Sequence, residues 1–179
     1  SGNAVMQIVA SGPDTIGDRL YDAMLAAIFN AKTSITLVTP YFVIDDALQK
    51  AFVIALRRGV ELNIILPRRS NHPLTDLVRS ISLRKLEAAG AKCWFYPSMI
   101  HAKAMLFDQQ LAVVGSANFD LRSLLLNFEI SCFIYSHDEI VHIENWMRGL
   151  QAVCTTELKK PSLLRMWFED AAQLMKPLL

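Results

Sequence analysis

The sequence of 179 residues has little of what marks several large classes of protein. Seven glycines and seven prolines leave few breaks for loops, and the 53% of hydrophobic residues excludes an intrinsically disordered chain. The longest apolar runs fall far below the roughly 18 residues that a membrane span requires. The first residues do not resemble a signal peptide. We therefore expect a globular domain with a sizeable core and no membrane span in this sequence.

An excess of charge of one sign is also missing. The chain has 18 Lys and Arg residues against 17 Asp and Glu residues, a formal net charge of +1. Such a balance provides no positive field over the whole domain that would attract nucleic acid. We therefore expect any phosphate binding to be local, and we do not expect nucleic acid as a partner.

Cysteine is scarce and its spacing is uninformative. Cys93, Cys132 and Cys154 form an odd set without a CxxC pair, and each lies in an apolar segment. They are predicted to be buried thiols, and we expect neither a disulfide framework nor a metal site nor a cofactor. The chain starts at Ser1 and runs directly into a strand pattern, so we expect it to be a piece of a longer protein.

Hydrophobic periodicity predicts strands that alternate with helices. Ile16, Leu20, Met24 and Ile28 recur every four residues and predict a helix over residues 14–31, with Asp14 as its N-cap. Asp45 or Asp46 is predicted to cap a second helix that Gly59 ends, and two more helices are expected over 74–89 and 138–153. Strands are predicted over residues 5–9, 35–38, 60–66, 92–96, 101–107, 111–114 and 128–135.

This order of elements predicts an α/β fold with a mixed β-sheet flanked by helices on both faces, an α-β-α sandwich. Residues 1–154 are expected to form one catalytic half-domain. Residues 155–179 are expected to form a helical tail that packs on it.

The chemistry is concentrated between residues 101 and 129. On a strand, His101 and Lys103 would point to the same side and present an imidazole and an ammonium to one cleft. This pair suits a phosphodiester, which needs a group that titrates near neutrality and a fixed cation on its oxygens. Gly115 allows a close backbone approach, Ser116 supplies a hydroxyl and Asn118 supplies an uncharged donor.

Two carboxylates accompany this set. Glu129 is predicted to accept a proton from the second ring nitrogen of His101, which would fix the tautomer of the imidazole. Asp108 lies in a turn between two strands, where a catalytic role competes with a role in shaping the turn. We favour the turn-shaping role for Asp108.

The spacing HxK, four residues, D, six residues, GSxN resembles the HKD motif of the phospholipase D superfamily. The segments 11–14, 39–42, 58–60 and 115–123, with Asn127 and Glu129, are similar to the second half of bacterial cardiolipin synthases. The resemblance extends over nearly the whole chain.

The resemblance implies a reaction that joins two phosphatidylglycerols into cardiolipin and releases glycerol. It implies a phosphohistidine intermediate, no metal, and a site formed by His101, Lys103, Ser116, Asn118 and Glu129. It also implies a phospholipid substrate at a membrane surface. The location would be the cytoplasmic side of a bacterial inner membrane, peripheral or anchored by sequence outside this chain.

One such motif is insufficient for transfer through a histidine. One imidazole must attack phosphorus while another protonates the leaving alkoxide. His72, His137 and His142 lack a lysine partner at the required spacing. The second imidazole is therefore expected from a second half, either a missing N-terminal half or a homodimer mate. By resemblance, His101 is expected to be the general acid, and the nucleophile role stays open.

Four further residues are candidates for the substrate pocket. Tyr41 and Phe42 are expected either to form a lip that faces lipid or to pack in the core. Arg68 and His72 lie in a polar loop, and they are expected either to contact a lipid phosphate or to be solvated.

Two other functions remain open from the sequence. One is a homodimeric phosphodiesterase or nuclease with the same motif, which the net charge of +1 weakly disfavours. The other is a scaffold or membrane-docking half whose motif does not act in catalysis.

Overall fold

The protein is known from a computed structural model, and the structure describes residues 3–156. Within that range it has nine strands and five helices. The strands are β1 (Met6–Ser11), β2 (Ser34–Val38), β3 (Phe42–Val43), β4 (Glu61–Pro67), β5 (Lys92–Tyr96), β6 (Ala104–Phe107), β7 (Leu111–Gly115), β8 (Phe119–Asp120) and β9 (Glu129–Ile134). The helices are α1 (Arg19–Asn30), α2 (Asp46–Arg57), α3 (Pro73–Ala88), α4 (Leu121–Leu125) and α5 (His137–Ala152).

Seven strands form one mixed sheet in the order β1-β9-β7-β6-β2-β4-β5. β2, β4 and β5 are parallel, because the chain returns through α2 and α3 between them. β6 runs antiparallel to β2, and its neighbours β7, β9 and β1 continue the antiparallel part. β3 and β8 pair in a separate two-stranded ribbon. The predicted mixed sheet is confirmed.

Alternate strand residues supply two cores. In β6, Met105 and Phe107 pack in the larger cluster with α1, α2 and α3. Ala104 and Leu106 point to the opposite face and pack with Ile140 of α5. Because strand side chains alternate between faces, one central strand serves both layers. The predicted sandwich with helices on both faces is therefore the observed architecture.

The ends of α2 follow from single residues. The Asp45 carboxylate accepts a hydrogen bond from the Leu48 backbone N–H at 2.8 Å, so Asp45 is the N-cap. The helix ends before Gly59, whose φ of 88° is a left-handed conformation that glycine tolerates. Both ends agree with the expectation from the sequence.

The prediction for the first helix is wrong at its start. Asp14 does not cap it, because α1 begins at Arg19 and its N-cap is Asp18. Gly17, at φ 76°, interrupts the backbone between the two positions. Ile16 therefore lies outside the helix and is 87% exposed, although it continues the four-residue repeat of the buried face.

Phe42 is not a pocket residue. It is fully buried and stacks against Phe119, with ring centroids 5.8 Å apart, and it also contacts Phe52. The ribbon of β3 and β8 holds it there, since Phe42 pairs directly with Phe119. Of the two expectations for Phe42, packing in the core is the correct one.

The expected tail lies outside the described residues, except for its first two positions. Thr155 forms an isolated antiparallel bridge with Phe95 and exchanges two backbone hydrogen bonds with it. In the part of the chain that the structure describes, no helix combines the length and the apolar character needed to cross a bilayer.

We predict that Phe42→Ala lowers the free energy of unfolding by about 3–5 kcal/mol, because it leaves a cavity beside Phe52 and Phe119. Phe29→Ala is the matched control, since Phe29 is 46% exposed and its loss should cost about 1 kcal/mol. Urea unfolding of the two variants tests this. Equal costs would contradict the assignment of Phe42 to the core.

Candidate active site

Three chain segments meet where three internal strands of the sheet begin or end. They are the residues before β6, the end of β7 and the start of β9, which are adjacent because β6, β7 and β9 are neighbours. The predicted strand over residues 101–107 is too long, since β6 starts at Ala104. His101 and Lys103 therefore precede the strand, and alternation along a strand is not what brings them together.

A folded-back lysine brings the pair together. Lys103 Nζ lies 2.9 Å from His101 Nδ1 and 3.3 Å from Nε2, and it donates to the His101 carbonyl oxygen at 2.8 Å. Burial lowers the pKa of Lys103 below its usual 10.5, while the carboxylates of Glu129 and Asp120 act in the opposite direction. The arrangement places a cation directly beside an exposed imidazole.

Gly115 connects the three segments. Its N–H donates to the Lys103 carbonyl oxygen at 3.2 Å. A Cβ at this position would lie 2.5 Å from the Ile130 carbonyl oxygen and 2.5 Å from Ser131 Oγ. Only glycine fits this approach, as expected from the sequence.

Ser116 and Glu129 form a second pair. Ser116 Oγ donates to the Glu129 carboxylate and accepts from the Ile130 N–H at 3.0 Å. The expected hydrogen bond from His101 to Glu129 is not formed among the described residues. The Ser116 hydroxyl makes the hydrogen bond to Glu129 instead, because Ser116 follows Gly115 and lies directly opposite the start of β9.

Asn118 continues the same segment, with Asp120 behind it. Asn118 Nδ2 donates to Ser123 Oγ at 3.2 Å, and Asn118 Oδ1 is a buried atom without a partner among the described residues. Asp120 caps α4 by accepting from the Ser123 N–H at 2.7 Å. Burial raises the pKa of Asp120, against hydrogen bonds that lower it.

Asp108 lies at the opposite end of β6 from His101. Its carboxylate accepts from the backbone N–H groups of Lys32, Thr33 and Ser34 at 2.8–2.9 Å. Burial acts to raise the pKa of Asp108, but these hydrogen bonds outweigh it and hold the pKa below its usual 3.8. The geometry joins the β6–β7 turn to the loop before β2 and separates Asp108 from the other candidates.

A cleft of about 500 Å³ opens over the histidine–lysine pair. His101, Lys103 and Ser116 supply its polar lining, and Ile143 and Trp146 of α5 supply an apolar wall. The sequence did not indicate this wall, because Ile143 and Trp146 follow His101 by more than 40 residues. Within residues 3–156, no group of three or more His, Cys, Asp or Glu side chains is placed to hold a metal ion.

A second cavity of about 260 Å³, here called the side pocket, lies beside Asn118. Its lining residues are Tyr41, Val43, His72, Thr75, Asn118, Asp120, Arg122, Ser123 and Asn127. Two of the four candidate pocket residues, Tyr41 and His72, are therefore brought together. Arg68 is not, since it lines neither cavity and donates to Thr155 Oγ1 at 2.6 Å.

The fold that carries the candidate site is shared with solved structures. A phospholipase D family member from Salmonella typhimurium, Nuc, superposes with a TM-score of 0.71 at 22% identity, covering 88% of this chain and 100% of that one. A phosphatidylserine synthase from Haemophilus influenzae gives a TM-score of 0.76 at 16% identity, covering 97% of this chain and 48% of that one. The fold is that of the phospholipase D family.

The sequence narrows the class. Residues 24–151 match the profile of a family described as "Cardiolipin synthase, PLD-like domain", and the chain belongs to that family. It is 41% identical over 135 residues to the major cardiolipin synthase ClsA of Bacillus subtilis, covering 75% of this chain and 28% of that protein. It is 33% identical over 183 residues to cardiolipin synthase 2 of Staphylococcus epidermidis, covering 99% and 38%. The chain thus spans about a third of the length of these relatives.

We predict that Gly115→Ala destabilises the protein by about 1–3 kcal/mol, because the new methyl group meets backbone atoms that cannot rotate away. Gly149→Ala is the control, because Gly149 lies in α5 with open space at its Cβ position. Alanine should raise the free energy of unfolding there by about 0.5–1 kcal/mol. Thermal unfolding distinguishes the two. A Gly115→Ala variant as stable as the parent would contradict the close approach.

Proposed function

We propose that this chain is one of two histidine-bearing halves of a phosphatidyltransferase that converts two phosphatidylglycerols into cardiolipin and glycerol. The observation that carries the proposal is the exposed His101 imidazole 2.9 Å from the Lys103 ammonium, at the mouth of an open cleft. The names of the relatives support the choice of phosphatidylglycerol as substrate.

In the first step, a histidine of the second half attacks phosphorus of one phosphatidylglycerol. A P–N bond forms, the P–O bond to glycerol breaks, and the His101 imidazolium donates its proton to the leaving glycerol oxygen. In the second step, His101 removes a proton from a hydroxyl of the other phosphatidylglycerol. That oxygen attacks phosphorus, the P–N bond breaks, and cardiolipin leaves.

The other groups hold charge and geometry during these steps. Lys103 stabilises the negative charge that builds up on the non-bridging oxygens. Ser116 and Asn118 are assigned to binding of the phosphoryl group by the resemblance to the phospholipase D motif. Glu129 acts as a positioning residue, because its carboxylate orients the Ser116 hydroxyl, and its charge favours the ammonium form of Lys103.

The reaction needs a second imidazole, and this chain has one histidine with a lysine partner of this kind. The other half comes from the same longer protein or from a second copy of the chain. The complete assembly works at a membrane surface, on the cytoplasmic side of a bacterial inner membrane, where its phospholipid substrates lie.

We expect the isolated 179-residue chain to show little or no transfer, because a single imidazole cannot serve both as nucleophile and as acid. The measurement is cardiolipin and glycerol formation from phosphatidylglycerol vesicles, with single-stranded DNA offered in parallel. Clear cardiolipin formation by the monomer would contradict the requirement for two halves. DNA cleavage by a dimer would support the phosphodiesterase alternative, and inactivity of the complete assembly on both substrates would support a scaffold.

In the complete assembly, His101→Ala should lower the rate of transfer by ~10²–10⁴-fold, the usual contribution of a positioned proton donor. Lys103→Ala should lower it by ~10²–10³-fold, the usual contribution of one group that stabilises charge in the transition state. His142→Ala and Lys92→Ala are the matched controls, since both side chains are exposed and line neither cavity. Rates are compared by release of labelled glycerol. A near-parental rate in either site variant would overturn its assigned role.

A further inference from the structure

The polar lining of the side pocket includes a guanidinium, an imidazole and an amide. Arg122 and His72 are exposed side chains, which water solvates while no ligand is bound. Asn118 Oδ1 is the buried atom among them, and it has no partner among the described residues. A buried amide oxygen without a partner is costly, and a hydrogen-bond donor on a bound ligand would remove that cost.

One wall of the pocket is held in place before any ligand arrives. Tyr41 donates its hydroxyl to Asn71 Oδ1 at 2.5 Å, and its ring meets the His72 ring edge-on with centroids 5.4 Å apart. Val43 is buried and pairs with Asp120 across the ribbon of β3 and β8. The side of the pocket formed by Tyr41 and Val43 therefore loses little conformational entropy on binding.

The pocket has the chemistry of a phosphate bound to a hydroxylated chain. A guanidinium pairs with a phosphodiester through two parallel hydrogen bonds. Imidazole and amide groups suit hydroxyls, and the hydroxyl of a ligand donates to an unpaired amide oxygen. The volume of about 260 Å³ is small for an acyl chain and adequate for a polar headgroup.

The position of the pocket links it to the cleft. Ser116 lines the cleft and Asn118, two residues later, lines the side pocket. Lys103 is the cation of the cleft and Arg122 is the cation of the side pocket. Asp120 also lines the side pocket, where its carboxylate is engaged by the Ser123 N–H. The product of the proposed reaction has two phosphodiesters joined by a glycerol. Its two negative charges are therefore separated, as the two cations of the cleft and the side pocket are.

We propose that the side pocket binds the phosphoglycerol headgroup of the acceptor phospholipid, with Arg122 paired to its phosphodiester. Arg122 is then a residue that determines specificity, because it favours an anionic phospholipid over water as acceptor. This inference rests on the proposed function for its choice of lipid. The side-pocket residues that bind the acceptor are not among those that carry out the transfer steps.

The test is a binding measurement on the 179-residue chain, which does not depend on turnover. Dihexanoyl phosphatidylglycerol, below its micelle concentration, is titrated against the chain and followed by NMR shifts of the amides near Tyr41, His72 and Arg122. Inorganic phosphate and glycerol are titrated separately as probes for a free anion and a free polyol. Arg122→Gln is compared with Arg57→Gln, which makes the same charge change at an exposed site on α2, away from both cavities.

We expect the lipid to shift these amides, and Arg122→Gln to weaken its binding by about tenfold, the effect of losing a charge-assisted pair. Arg57→Gln should bind like the parent. Equal weakening by both variants, no weakening by Arg122→Gln, or equal affinity for inorganic phosphate would each overturn the headgroup assignment.

A second measurement separates this inference from the proposed function. In the complete assembly, Arg122→Gln should lower the ratio of cardiolipin to phosphatidate among the products, because water then competes better with the weakly held acceptor. An unchanged ratio would overturn the role of Arg122 in acceptor choice. Absence of glycerol release in the parent would instead contradict the proposed function and leave the binding result as the measure of the pocket.

Discussion

The site depends on the close approach of Gly115 to the start of β9. At this point the backbone of β7 lies against Ile130 and Ser131 with no room for a side chain, and its N–H reaches the Lys103 carbonyl oxygen. Two consequences follow. Ser116 meets Glu129, and the segment that carries the histidine–lysine pair is held beside them. Interiors pack densely, so a larger residue here would displace all of these groups together.

Much of the fold was predictable because burial leaves a period in the sequence. The buried faces of α1 and α2 and the strands of the sheet follow from spacings of four and two residues, and Asp45 marks a helix start by its chemistry. Periodicity gave the wrong start for α1, because a local backbone conformation ends the helix before the hydrophobic repeat ends. Ile16 continues the repeat of α1, but the left-handed Gly17 ends the helical path before it.

The candidate site was predictable in part for a related reason. His101, Lys103 and Ser116 are close in sequence or joined by neighbouring strands, so they were expected together and line one cleft. Phe42 and Arg68 were beyond prediction, because residue type does not tell a core aromatic from a pocket aromatic or a pocket arginine from one bound to Thr155. The side pocket joins the chain near residues 41 and 72 to the start of α4, a long-range arrangement that spacing does not encode.

The two ends of β6 adjoin different parts of the structure. One end follows the histidine–lysine pair, and the other leads into Asp108, whose carboxylate holds the loop before β2. A strand of four residues is about 13 Å long, so the two ends are physically separate. Engineering for robustness can therefore concentrate on the Asp108 end, where reinforcing substitutions leave the histidine–lysine pair untouched.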